Sequence, residues 1–519
     1  MSITMPPGIS GSNTQFWGAR SIRRYALCSA LLLVTACSGG GDSGPEANSP
    51  LSTPMALIVN QDDTTLTTLR LDGKHSPVIS TLSLGPMQAD AIGGVTFSLG
   101  EWIFVTNTES NKVAAIDPIG ALAPILEAFL EVNGPVRLGQ RPSRIYRDPV
   151  DKEVLWTMNE GDPVTGIDTL HPCPGGGSVS VLHNSHLSAG GAKPHVSTTT
   201  CLSGVGDHFI AFSRPPAVPQ EIAFVSSKTT GLVSLLLADP SYGVVRWGEI
   251  QVVKIDLCNS AKEATLGHPP CDGTVTTPNH SAPAGMFWSN TTRKIYSNLS
   301  GYGTIVEIDP VSFAITRNID ISPLGNTEYQ SVGMTPDGRF LWLMGEDIIS
   351  DPTKVIGKFA LVDLTQPALA LTALPVAGLD NIRPALFQFT PDNQRLYLNQ
   401  SNSLTGLPFA AQAHALKKDR LLAFDTSGLP TAPTLVAEVD LPAAEQHGMD
   451  LWITGSHGAG SAKGIVVTNA TAGVNGSVSL IDASTHTVTA TIPVGRNPKQ
   501  VTVYYYGLAA SDNQATPTR

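Results

Sequence analysis

Charge is what this chain has least of. Only 14% of its 519 residues are Asp, Glu, Lys or Arg, against roughly 25% in an ordinary soluble protein. Long solvated helices, which need charged outer faces, are therefore a poor fit. Basic runs are missing as well: the formal net charge is -11, and residues 1–37 hold Arg20, Arg23 and Arg24 but no acid, so the remainder is more acidic still. A surface of that sign, with no interleaving of basic and aromatic residues, cannot grip phosphates through counterion release, which excludes nucleic acid as a partner. There is no C-x-x-C, no C-x-x-C-H, no H-E-x-x-H and no P-loop. These absences exclude a zinc ribbon, a covalent c-type haem, a zincin site and a Walker-type phosphate cradle. No apolar run reaches the ~20 residues that a membrane-spanning helix needs. The segment Phe359–Leu379 is interrupted by Asp363, Gln366, Pro367 and Pro375 and reads as two strands.

Turn formers are abundant instead. The 49 glycines and 39 prolines make up about a sixth of the chain against a usual ~12%, and 41% of residues are apolar. Disorder and collagen are both excluded by that balance. The length is too great for one ordinary core, so it implies several domains or one large repeat architecture of short strands.

The N-terminus reads as an address. Arg20–Arg24 form a basic patch, and the apolar run Tyr25–Ala36 has the length of a signal-peptide core. The run ends Leu33-Val34-Thr35-Ala36-Cys37-Ser38. This resembles the lipobox of bacterial lipoproteins, with Leu33 or Val34 as the apolar element, Ala36 as the small residue and Cys37 as the lipidated one. The resemblance implies a signal over residues 1–37, a Gly/Ser/Pro tether over 38–54, and a membrane partner reached through a lipid on Cys37. Ser38, rather than Asp, favours the outer membrane of a Gram-negative cell, facing the periplasm or the exterior. An ordinary signal peptide with a chance cysteine is the alternative.

Export is consistent with the cysteines. Of six, Cys28 and Cys37 belong to the signal, which leaves Cys173, Cys201, Cys258 and Cys271. Four cysteines allow three pairings. The short-range one, Cys173 with Cys201 and Cys258 with Cys271, closes small loops and restrains two excursions by roughly 3 kcal/mol each. A zinc site is the competing reading.

A repeat then runs through the chain. Its last copy is Gly464-Ile-Val-Val-Thr-Asn469, Gly476-Ser-Val-Ser-Leu-Ile-Asp482, Thr487-Val-Thr-Ala-Thr-Ile-Pro-Val-Gly495 and Asn497-Pro-Lys-Gln-Val-Thr-Val503. Trp102–Asn107 with Lys112–Asp117, and Lys294–Asn298 with Thr304–Asp309, repeat the order. Third-strand elements end at Asp72, Asp117, His183, Asp239, Asp309, Asp363, Asp425 and Asp482, which makes eight copies. These segments resemble the YVTN repeat family, whose pattern is "VTN...V.VID....V..I.VG..P". The resemblance implies an all-β fold, an eight-bladed β-propeller over 55–507, followed by a disordered tail over 508–519. Seven blades is the alternative, if the copy ending at Asp239 is an insertion. The first copy lacks a first strand, and Gln500–Tyr506 supplies an extra one at the end. A Velcro closure between the termini follows, in a ring that needs no second copy and is expected to be a monomer. Ile119–Val132 is the best helical stretch and is expected outside the ring.

Chemistry is expected where each blade's outer strand leads into the next inner strand, at one mouth of the channel. Those connections carry Met87–Asp90, Arg141–Arg144, Gly206–His208, Ala282–Gly285, Tyr329–Ser331, Asn381–Pro384, Gln446–Gly448 and Asn497–Gln500. Arg144, His208, Arg383, His447 and Lys499 are the candidate ligand-binding residues, with His208 and His447 in equivalent slots. Solvation of a wet mouth is the plain alternative. His183, His186 and His195 resemble a metal cluster, but repeat alignment accounts for their spacing. The strand-end aspartates read as turn caps.

Similar propellers include the haem-d domain of cytochrome cd-type nitrite reductase, copper nitrous-oxide reductases and lactonases. Pro283-Ala284-Gly285 stands where YVTN-like proteins often carry P-H-G. The favoured expectation is therefore a non-enzymatic binding platform for an envelope protein, glycan or small ligand, with no cofactor. An enzyme or redox protein with a metal, haem-like or lactone-type site at the mouth is the second.

Overall fold

Runs such as Ile222–Ser227 and Leu232–Leu237 are too short for helices and rich in residues that fit a pleated surface. In the computed structural model they form strands throughout. The structure describes residues 54–505 apart from connecting segments, the longest of which are 162–172, 184–193, 238–250 and 401–419. Cys37, the tether, the C-terminal tail, Met87–Asp90, His186 and His447 lie outside the described residues.

The strands form eight four-stranded antiparallel sheets. Seven are consecutive meanders. Blades 2, 3 and 4 start at Ile92, Pro142 and His208, blades 5 and 6 at Pro283 and Thr327, and blades 7 and 8 at Pro384 and Met449. The first strands of most neighbouring blades touch one another, which places them around the axis. The copy at Asp239 is a full blade, with Leu232–Leu237 as its third strand, and eight blades result. Blade 1 is assembled from both ends: Pro498–Tyr505 is its inner strand and pairs with Pro54–Asn60, followed by Thr65–Arg70 and Val78–Ser83.

Ile119–Val132 departs from the helical expectation. Residues Ile125–Glu131 are the outer strand of blade 2, paired with Lys112–Asp117. Its Ala- and Leu-rich composition favours a helix locally, but an unpaired third strand would leave a row of backbone groups open, and ladder pairing wins.

No single core exists. Eight apolar layers lie one in each space between successive blades. Between blades 3 and 4, Trp156 and Phe212 meet edge to face with centroids 5.4 Å apart. Between blades 6 and 7, Trp342 packs on Phe359 at 5.0 Å and on Phe389 at 5.6 Å. Each layer buries faces that a lone blade would leave wet, which makes ring closure the condition of stability.

Polar repeat positions serve this frame. The Nδ2 groups of Asn60, Asn159 and Asn469, at the ends of second strands, donate to Thr67, Ser180 and Ser479 Oγ at 2.9 Å in each case. Asp309, Asp363, Asp425 and Asp482 accept backbone N–H groups of the turn two or three residues on, as turn caps should. The disulfides are Cys173–Cys201 and Cys258–Cys271, with Cα atoms 5.0 and 6.1 Å apart. Among the described residues no helix is long and apolar enough to cross a membrane.

Candidate functional site

Five inner strands carry a bulge at their first residues and a sixth, Thr327–Met334, carries one at Gln330, all toward the same end of the ring. In blade 3, Pro142 opposes Asn159 and Arg144 opposes Met158, so Ser143 is extra; in blade 1 the extra residue is Lys499. A left-handed residue precedes several of these starts: Arg141 (φ 59°), Ala282 (φ 44°), Asn381 (φ 60°) and Asn497 (φ 52°). Bulge and left-handed turn together re-aim the chain from the outer edge of one blade to the axis of the next.

Blade 4 differs. Its entry is Gly206 (φ 86°), and its first residue, His208, stands opposite Ser227 in the slot that proline fills in blades 1, 3, 5 and 7. The His208 ring is fully buried, and neither ring nitrogen has a hydrogen-bond partner of good geometry. It lies against Gly177, where a Cβ would stand 2.6 Å from the ring and 2.0 Å from the Gly204 carbonyl, so no larger residue fits that position. Burial lowers the His208 pKa to about 4, with the backbone of Gly204 and Gly206 and the Asp207 charge acting the other way, and the ring is neutral at pH 7.

Charged groups collect around it. Arg144 Nη2 lies 3.5 Å from Asp207, and its guanidinium sits 4.6 Å from the centre of the Phe209 ring. Arg141 contacts Glu109 at 2.6 Å and Glu160 at 3.6 Å. Burial raises the Glu160 carboxyl, Asp207 adds to the rise, and Arg141 and Arg144 oppose it. Tyr146, on the Arg144 side of the same strand, is pushed by burial up to about 12. Two guanidinium groups thus face three carboxylates. That set can recognise a neutral polar or zwitterionic group better than a strong anion, because both cations already have partners.

Among the sequence-predicted residues, Arg144 and His208 are brought together through Asp207 and Phe209. Arg383 is elsewhere and engaged: its guanidinium holds the buried Glu346 at 2.9 and 3.0 Å, with the two side chains 13% and 2% exposed. Lys499 is half-buried on the blade 1 bulge, beside Gly448. His183 and His195 are cross-strand partners in blade 3, with centroids 5.9 Å apart. Glu160 and Tyr146 escape a reading by repeat position; the signal for Glu160 was its place directly after the second-strand Asn159. A shallow depression of about 350 Å³ at this end of blade 8 is lined by Asn469, Asn475, Ser477 and Pro493.

No protein-family model matches the chain, and no curated protein matches it in sequence. Solved structures do match in fold. A dihydro-haem d1 dehydrogenase, NirN, solved in complex with DHE, is 13% identical with a TM-score of 0.53, over 90% of this chain and 78% of that one. The periplasmic gluconolactonase PpgL of Pseudomonas aeruginosa is 16% identical with a TM-score of 0.45, over 76% of this chain and 97% of that one. AztD of Citrobacter koseri is 12% identical with a TM-score of 0.47, over 87% and 98%. At these identities the likeness to NirN concerns the fold alone.

Proposed function

We propose that this protein is a lipid-anchored envelope propeller that binds a polar ligand, on a glycan, an envelope protein or a small molecule, at the mouth between blades 3 and 4. One observation carries the reading: both disulfides lie at the end of the ring where inner strands begin. Cys173–Cys201 ties the connection before Ser178 to the end of the blade 3 outer strand, and Cys258–Cys271 staples the connection into blade 5. Loops held covalently at the end of the ring that carries this partly exposed charged cluster present a pre-organised surface, which lowers the ordering cost of binding. Disulfides also fit an oxidising compartment, in keeping with the lipobox at Cys37.

The described residues do not fit a haem-like group. His208 is sealed from solvent and covered by Gly177, and Arg383 already holds Glu346. Neither is disposed to grip a macrocycle among the described residues.

Two measurements test the reading. Mass spectrometry of the mature N-terminus should find a lipid-modified Cys37, and Cys37→Ser should release the protein to the soluble fraction. Thermal-shift titration with envelope glycans, muropeptides and small zwitterions should give a stabilisation that Arg144→Ala and Asp207→Ala both abolish. A stabilisation that survives both substitutions would place the ligand elsewhere.

A further inference from the structure

Between blades 4 and 5 the chain makes an excursion at this same end. It turns through a short helix, Ser260–Thr265, capped by Asn259, whose Oδ1 accepts the N–H groups of Ala261 and Lys262 at 3.1 and 3.2 Å. The Cys258–Cys271 bridge closes the loop around it. Inside sits Glu263, a carboxylate only 2% exposed. Its Oε1 accepts the backbone N–H of His280 at 2.7 Å and the hydroxyl of Tyr302. Its Oε2 faces Nδ1 of His280 at 2.8 Å. The ring of His268 lies parallel to that of His280, with centroids 3.6 Å apart and planes 8° from each other. One carboxylate oxygen and one nitrogen from each ring all fall within 4.8 Å of one another.

We propose that Glu263, His268 and His280 bind one Zn²⁺ ion. Two imidazoles and a carboxylate are a borderline-hard donor set that suits zinc, with a fourth position left for water. The carboxylate is already oriented: Tyr302 and the His280 N–H occupy Oε1 and leave Oε2 to point at the rings, the outer-shell arrangement that ligating carboxylates show. Zinc entering beside Oε2 and Nδ1 displaces the proton they share, which leaves to solvent. Ligands ~2.0–2.1 Å from a tetrahedral zinc stand roughly 3.4 Å apart, so Oε2 and Nδ1 open by about half an ångström. His268 tilts out of the stack to turn a nitrogen lone pair toward the ion. The side chain of His280 is 52% exposed, which leaves its ring room to follow. The site owes nothing to the cluster at His208 and stands whether or not that cluster binds a ligand.

Calorimetric titration of the tag-free full chain, stripped with EDTA, tests this with ZnCl₂ alone. One equivalent should bind, and His268→Ala and His280→Ala should each weaken it by about tenfold or more. His268→Gln keeps the bulk of the ring stack and should weaken it equally, which separates lost ligation from lost folding. His183→Ala, at a histidine pair outside the site, should change nothing. Co²⁺ in place of zinc should give the visible absorption of a four-coordinate ion, lost in the same variants. Absence of stoichiometric zinc, or zinc binding by folded His268→Gln or His280→Ala chains as tight as that of the natural chain, would overturn the proposal.

Discussion

Val59 stands directly opposite Gln500, so strands from the two ends of the described chain share one ladder. Every other blade is a local meander; this one alone joins distant segments and closes the ring. Truncation before Pro498 would leave the Pro54–Asn60 strand as an open edge and uncover the apolar layers that Tyr504 and Val501 help to form. Such a chain should melt about 10 °C or more below the full one and aggregate, as read by scanning calorimetry and light scattering.

His208 sets a pH limit. Its folded pKa, about 4, is below the ordinary value of 6.5. The unfolded chain therefore binds the proton first, and stability falls as pH drops from about 6.5 to about 4, by on the order of 3 kcal/mol in all. Urea midpoints measured across that window should slope for the natural chain and flatten for His208→Gln. The full burial of His208 also means that His208→Ala leaves a cavity and lowers stability at pH 7, where solvent exposure at the mouth would have made it neutral.

The turn aspartates act in a lower window. Desolvation opposes the shift at Asp363, but Arg339 and the Thr365 hydroxyl and N–H outweigh it and hold its carboxyl at about 2; Ser484 and Thr485 do the same for Asp482. Depressed carboxylates stabilise the fold above their unfolded pKa and lose that contribution as pH falls toward 2. Asp482→Ala should cost about 1 kcal/mol at pH 7 through the lost turn bonds. Asp482→Asn keeps an acceptor oxygen, so it should cost less at pH 7 and shrink the loss below pH 4 in urea melts.

Arg383 and Glu346 form a pair that tolerates no single deletion. Glu346→Ala leaves the Arg383 guanidinium, 13% exposed, without that counter-charge, and should cost roughly 3–5 kcal/mol. Replacing both by methionine should recover most of that loss, measured as a double-mutant cycle in guanidinium chloride.

Much of this architecture is legible in the residues. Asp117, His183, Asp363, Asp425 and Asp482 all close third strands and Asp309 directly follows one, and at Asp309, Asp363, Asp425 and Asp482 the carboxylate caps the turn that comes next. The extra strand after Asn497 announces the closure. The outer strand at Ile125–Glu131 is hidden, since its composition favours a helix and only the sheet supplies the reason to extend. Charges are harder still. Arg383 looks free in the sequence because Glu346, its partner, comes from the previous blade. Glu263, His268 and His280 show no motif spacing, since a disulfide-closed excursion, rather than a helix face, brings them together.

A binding face at the mouth requires that one end of the ring, and not the other, meets the ligand. Thr229 lies at the mouth, hydrogen-bonded to the Val205 carbonyl, and Val311, 66% exposed, lies in a turn at the opposite end. A photo-activated cross-linking side chain placed at each position in growing cells reports contact directly. Adducts from position 229 and none from position 311 are the predicted result. Adducts from 311 alone, or none from either position, would contradict a binding face at the mouth between blades 3 and 4.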